Sequence, residues 1–227
     1  MTTTNLFNLA AMSIIQQQVS ANLFKLIKFD GTGATDAVFP QTLDLSYQGF
    51  TDADFLGFNL FSGQLQNLTL PISSSNIQGQ DVFNIGNFTS LKKLISNDTS
   101  KCIFSGSMVG LTSLTDIKMN VSSARAPYIL VQLSAYPNLV NVTITGSAVY
   151  GISDVGTLGA LTHLATYKLT CPVAQATTNN ILSTLHTAKA AGAPLTTVFL
   201  TGTAAPTGGT SNADYLYLTG AGVSVTL

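Results

Sequence analysis

The amino-acid sequence predicts an α/β solenoid: a stack of about eight units sharing one parallel β-sheet, with short helices or 3₁₀ turns on the other face and a helical cap at the N-terminus. Three observations predict it. A short apolar frame recurs as Leu65-x-x-Leu68-x-Leu70, Leu91-x-x-Leu94-x-Ser96, Leu114-x-x-Ile117-x-Met119, Leu139-x-x-Val142-x-Ile144, Leu164-x-x-Tyr167-x-Leu169 and Leu195-x-x-Val198-x-Leu200, with weaker copies at Pro40-x-x-Leu43-x-Leu45 and Gly220-x-x-Val223-x-Val225. The central residue falls at 43, 68, 94, 117, 142, 167, 198 and 223, so all intervals are 23 to 26 residues except one of 31. A period in the twenties with one strand signature per period marks a solenoid whose units complete their core only by stacking. The third observation is a second apolar ladder, spaced by three, ahead of the frames: Phe55, Phe58, Phe61; Val82, Ile85, Phe88, Leu91; Met108, Leu111, Leu114; Leu130, Leu133, Tyr136, Leu139; Val155, Leu158, Leu161, Leu164. Period three suits a 3₁₀ or short α turn with one buried face. Every unit enters in the same sense, so the strands are parallel.

Residues 1–38 form a helix and loop, and 39–227 the solenoid. Residues 5–28 carry a broad apolar stripe, Leu6, Leu9, Met12, Ile15, Val19, Leu23, Leu26 and Ile27, behind Asn5 as a cap. This helix either covers the open end of the first coil or docks a partner chain. Asp30 to Asp36 is a Gly-containing turn. It lacks the Lys-Ser/Thr of a phosphate loop and the ligand ladder of a calcium loop.

The 31-residue interval is explained by a true α-helix over 177–192, with Thr178 as cap, Ile181, Leu182 and Leu185 as the buried face, and Gly192 as a left-handed stop. The last unit repeats that plan: Ser211 caps, Ala213–Leu218 is helical, Gly220 and Gly222 break it, and 223–227 is a strand. That final strand would offer an open edge, to be covered by a neighbouring subunit or by the loop at Pro206.

Composition narrows the function. Charged residues make up 8% of the 227 residues, and the net charge is −1 with nine Lys and Arg. That charged fraction is about a third of the usual one. It fits life inside an assembly or binding to neutral polymers. Scattered cations argue against nucleic acid. No positive n-region with a cleavage site opens the chain, and no run of about 18 apolar residues occurs, so neither secretion nor membrane insertion is expected. Cys102 and Cys171 lie three coils apart, about 15 Å at the spacing of stacked strands, and are expected as free thiols. Without secretory entry the Asn-x-Ser/Thr matches at Asn67, Asn87, Asn97, Asn120 and Asn141 stay unmodified.

Over residues 40–227 the frame resembles leucine-rich repeats. It departs from that family's consensus where Asn normally follows the strand: Ser73, Thr99, Ser122, Ser147, Pro172 and Thr203 stand there. Hydroxyls serve loop backbone groups in part, while Pro172 cannot. The stretch from Asn179-Asn-Ile-Leu through Leu200-Thr-Gly-Thr-Ala-Ala-Pro-Thr and Asn212-Ala-Asp-Tyr-Leu to Gly222-Val-Ser-Val-Thr-Leu227 resembles the closing module of bacteriophage virion and tail-associated proteins. This resemblance implies a virion structural protein, a capsid-decoration, head-fibre or tail-fibre component, assembling with other virion proteins and itself.

No catalytic constellation, metal cluster or cofactor motif is present in the sequence. His163 falls in the turn row of Ser90, Ser113 and Asn138, facing solvent, and His186 on the polar side of the long helix. No Gly-x-Ser-x-Gly elbow occurs. Asp52 and Asp54 suit a helix N-terminus better than a metal. An enzyme is therefore not expected, nor any cofactor. What remains is the outer face of the sheet, because strand side chains alternate between faces. The candidate binding face is Asn67, Thr69, Lys93, Asp116, Lys118, Asn141, Thr143, Thr166, Lys168, Thr197 and Phe199, with Ile95 among them. It would meet another protein or a host surface glycan in a receptor-binding role.

Overall fold

In the computed structural model the described residues are 28–29, 37–38, 41–44, 63–70, 88–96, 111–120, 133–146 and 158–227. Among them, β1 (Lys28–Phe29) and β2 (Ala37–Val38) pair antiparallel. A parallel sheet of eight strands follows: β3 (Thr42–Asp44), β4 (Asn67–Leu70), β5 (Lys93–Ser96), β6 (Asp116–Asn120), β7 (Asn141–Thr145), β8 (Thr166–Thr170), β9 (Thr197–Thr201) and β10 (Ser224–Thr226). Its strands lie in strict chain order. A chain whose every coil returns to the same side can pair its strands only in parallel.

The register places the predicted central residues in one column. Leu43, Leu68, Leu94, Ile117, Val142, Tyr167 and Val198 stand opposite one another, strand after strand. From Leu68 to Val198 all are buried, as are Met119, Ile144, Leu169 and Leu200 two residues on. Backbone bonds lock this register at each step. The carbonyl of Gln41 accepts the amides of both Gln66 and Asn67; Gln66, Lys92, Thr115, Val140 and Ala165 do the same for the next coil. Slipping by one residue would break both bonds and turn the apolar set outward.

The period-three ladder closes each coil. Leu91, Leu114, Leu139 and Leu164 donate their amides to the carbonyls of Phe88, Leu111, Tyr136 and Leu161, three residues back. Two such stretches are 3₁₀ turns, Leu133–Ala135 and Leu158–Ala160. The ladder residues from Phe88 to Leu164 that the structure describes are fully buried, the aliphatic ones each contributing about 1.5–3 kcal/mol by leaving water. The core is one continuous cluster from Leu65 to Val223. These features make the described part of the chain a leucine-rich-repeat-like solenoid.

The long coil holds α1 (Gln175–Ala190), with Ile181, Leu182 and Leu185 buried as predicted. Its start differs from expectation. Ala174 is the N-cap, without a side-chain bond, and Thr178 lies inside the helix. Buried Thr178 sends its hydroxyl to the carbonyl of Ala204 at 2.8 Å, tying the helix to the loop after β9 instead of capping it. The end is as predicted: Gly192 has φ +96°, its amide bonds Lys189 O, and the amide of Ala193 bonds Ala188 O. That pair of bonds needs a left-handed residue, which Gly adopts without strain.

In the last coil a 3₁₀ turn (Gly209–Ser211) leads into α2 (Ala213–Gly220). The cap is Asn212, not Ser211: its side-chain oxygen accepts from the amides of Asp214 and Tyr215. Gly220 ends the helix as its last residue, and Gly222, at φ +79°, supplies the left-handed turn. The final frame is also corrected. Val225, not Val223, pairs with Val198. Val223 is used to close α2: its amide bonds Leu218 O, and both side chains are buried, as the residue after a left-handed glycine commonly is. The strand therefore starts at Ser224.

Several expectations lie outside the described residues. They are the N-terminal helix up to residue 27, the loop 30–36, Asp52, Asp54, the ladder residues Phe55, Phe58, Phe61, Val82, Ile85, Met108, Leu130 and Val155, Leu45, Cys102, Asn87, Asn97, and Ser73, Thr99, Ser122 and Ser147. Lys28, assigned to the helix from sequence, is in β1.

Candidate binding face

Strand alternation sends the residues between the buried ones to the opposite face, and the register then aligns them. One outer row runs Thr42, Asn67, Lys93, Asp116, Asn141, Thr166, Thr197, Ser224. The second runs Asp44, Thr69, Ile95, Lys118, Thr143, Lys168, Phe199, Thr226. All eleven residues nominated from sequence lie in these rows, and none is buried. Neighbouring rungs stand about 4.8 Å apart.

Hydrogen bonds stiffen the first row. Asn67 Nδ2 donates to Thr42 Oγ1 at 2.9 Å, and Asn141 Nδ2 to Asp116 Oδ1 at 2.8 Å. Thr115 Oγ1 donates to the other Asp116 oxygen at 2.7 Å. Both carboxylate oxygens are thus engaged. Lys93, Lys118 and Lys168 are exposed, and the ion pair found among the described residues is elsewhere, between His186 and Asp214.

A further polar row, in the turn before each strand, reaches back one coil. Ser90 Oγ donates to Gly63 O at 2.8 Å, and Asn138 Nδ2 to Thr112 O at 2.7 Å. His163, exposed as expected, places Nδ1 3.2 Å from Pro137 O, where a carbonyl can only accept and the ring must donate. Its role in the row is to bridge adjacent coils.

Sequence spacing did not reveal the contact of His186. Its Nδ1 lies 2.6 Å from Asp214 Oδ1, and its ring stacks on Tyr217 with centroids 3.7 Å apart. The two helices are 28 residues apart in the chain at this pair, so only their packing brings it together. No group of three His, Cys, Asp or Glu able to hold a metal occurs among the described residues. Nor, among them, is any helix long and apolar enough to cross a membrane.

Two buried tyrosines interrupt the apolar core. Among the described residues the hydroxyls of Tyr136 and Tyr167 find no hydrogen-bond partner. Burial pushes both phenol pKa values well above the usual tyrosine range, with Cys171 adding to the effect at Tyr167. Cys171 is itself buried, which also raises its thiol pKa.

No protein-family model and no curated protein matches the sequence. Among solved structures the chain is similar to an internalin C2 from Listeria monocytogenes, at 15% identity over 96% of this chain and 92% of that one, with a TM-score of 0.43.

Proposed function

We propose that the protein is a bacteriophage virion structural protein, a capsid-decoration, head-fibre or tail-fibre component built for assembly with other virion proteins and with copies of itself. The observation that carries this reading is the outer surface of α2. Leu216 is 55% and Tyr217 39% exposed, on a helix whose one charged side chain, Asp214, is turned to His186. Exposed large apolar residues favour a protein contact. The charged fraction of 8% supports it too, since copies packed closely repel little. The resemblance of the stretch from Asn179 to Leu227 to phage closing modules gives the assembly its class. The test is mass spectrometry of purified particles, with light scattering of the isolated chain. Presence in particles and a multimer weakened by Leu216→Ser with Tyr217→Ser are expected. A strictly monomeric chain absent from particles would overturn the reading.

A second reading, compatible with the first, is a receptor-binding module that uses the sheet face on a host surface glycan or protein. Its motive is the pair of straight, hydrogen-bonded outer rows. In a cell-binding assay, Lys118→Glu with Lys168→Glu should abolish attachment, and unchanged attachment would reject that face.

A further inference from the structure

We infer that the sheet face selects an acidic polysaccharide, laid across the strands over Ile95, Lys118, Thr143, Lys168 and Phe199. This deepens the receptor-binding reading and rests on it. Nine Lys and Arg look scattered along the sequence. The solenoid gathers three of them, because a 25-residue step in the chain is one strand step in space. Lys118 and Lys168 stand in one outer row with Thr143 between them, two strands apart. That is roughly 10 Å between their Cα atoms. Lys93 lies on the strand beside Lys118, in the other row.

These ammonium groups are exposed, and the nearest carboxylate in the rows is already committed. Asp116, opposite Lys93, accepts from Asn141 and Thr115 on its two oxygens. Those bonds come from neutral groups and leave its charge in place, so three ammonium groups stand against one carboxylate, and the local field at the centre of the sheet is positive on a chain whose net charge is −1. At the ends of the Lys-Thr-Lys tract stand Ile95 and Phe199, apolar and half-buried. A sugar polymer has the matching pattern: carboxylate or sulfate groups at intervals, hydroxyls between them for Thr143, and C–H faces that lie against an aromatic ring. Nucleic acid fits less well. Its phosphates come every few ångströms and call for denser cations and more stacking surfaces.

The test compares two polymers with one backbone, dextran sulfate and neutral dextran, together with a single-stranded oligonucleotide, on the full chain. Binding is read by surface plasmon resonance at low and physiological salt. Dextran sulfate should bind and weaken as salt rises, since the Debye length falls to about 8 Å at 0.15 M. Lys118→Glu with Lys168→Glu should lower its affinity about tenfold or more, and Phe199→Ala should lower it at unchanged salt slope. Circular dichroism would confirm that both variants keep the fold. Equal binding of neutral dextran, lost in the lysine variant, would overturn the acidic class while leaving the sheet face as a glycan site. Dextran sulfate binding untouched by the lysine variant, or oligonucleotide binding as tight as dextran sulfate, would overturn the inference. Binding of neither polymer would remove the glycan form of the receptor reading as well.

Discussion

His186 of α1 and Asp214 of α2 meet at 2.6 Å, and Tyr217 stacks on the imidazole from the next turn of the same helix. The pair fastens the last helix to the one before it. His186→Ala should lower stability by about 0.5–1.5 kcal/mol, and Asp214→Asn by less, since an amide oxygen still accepts. A double-mutant cycle read by urea unfolding would measure the coupling. Additive losses would show that the contact contributes nothing.

The orphan hydroxyls of Tyr136 and Tyr167 should be costing stability. Tyr136→Phe and Tyr167→Phe each keep the ring and remove a buried polar group without a partner. Each should raise stability by roughly 1 kcal/mol or more at neutral pH. Unfolding free energies from denaturant titration would decide it.

The same tyrosines set an alkaline limit. Their phenol pKa is raised in the folded state, so above about pH 10, the ordinary value, the unfolded chain gives up protons that the folded one retains. Their contribution is fully present below that pH and is lost as pH rises through the folded values. Stability of the wild type should fall more steeply above about pH 10 than that of the double Phe variant.

Gly159, in the 3₁₀ turn before β8, lies against α1 so closely that an added Cβ would stand 2.8 Å from Thr187 Cγ2 and 3.0 Å from its Cβ. Gly159→Ala should cost about 1–3 kcal/mol. Thr187→Ala should restore part of it. A Tm series over the two single variants and the double variant checks this, and no rescue would mean the turn itself resists a side chain.

Asn141→Asp would set two carboxylates on adjacent strands, replacing the bond to Asp116 with repulsion. The loss should be about 0.5–1 kcal/mol, smaller in high salt. An unchanged Tm at low salt would show that this rung of the outer row is not held by the pair.

The outer rows were legible in the sequence because alternation and a fixed period are enough to place Lys118 beside Thr143 and Lys168. The buried column was legible for the same reason, up to Val198. Beyond it the sequence misled, because Val223 looks like a strand centre and is in fact the apolar residue closing α2 behind Gly222. Helix starts were misread because a hydroxyl residue near each start was taken as the cap. Thr178 lies inside α1 and is spent on Ala204, and Ser211 belongs to the 3₁₀ turn, which leaves Asn212 at the cap position to accept from two amides. The contact of His186 had no local signal at all, since it depends on how two helices pack.

The paired amides held by single carbonyls at Gln41, Gln66, Lys92, Thr115, Val140 and Ala165 make the solenoid modular in whole turns only. Excising residues 142–166 would bring Tyr167 into the seat of Val142, facing Ile117, with Thr115 still holding Val140 and Asn141. A shorter molecule of the same build should result. Removing half as many residues would leave an acceptor without its amides and an aliphatic row facing water. Evolution, or an engineer, can therefore change the length of this protein by the coil but not by the residue.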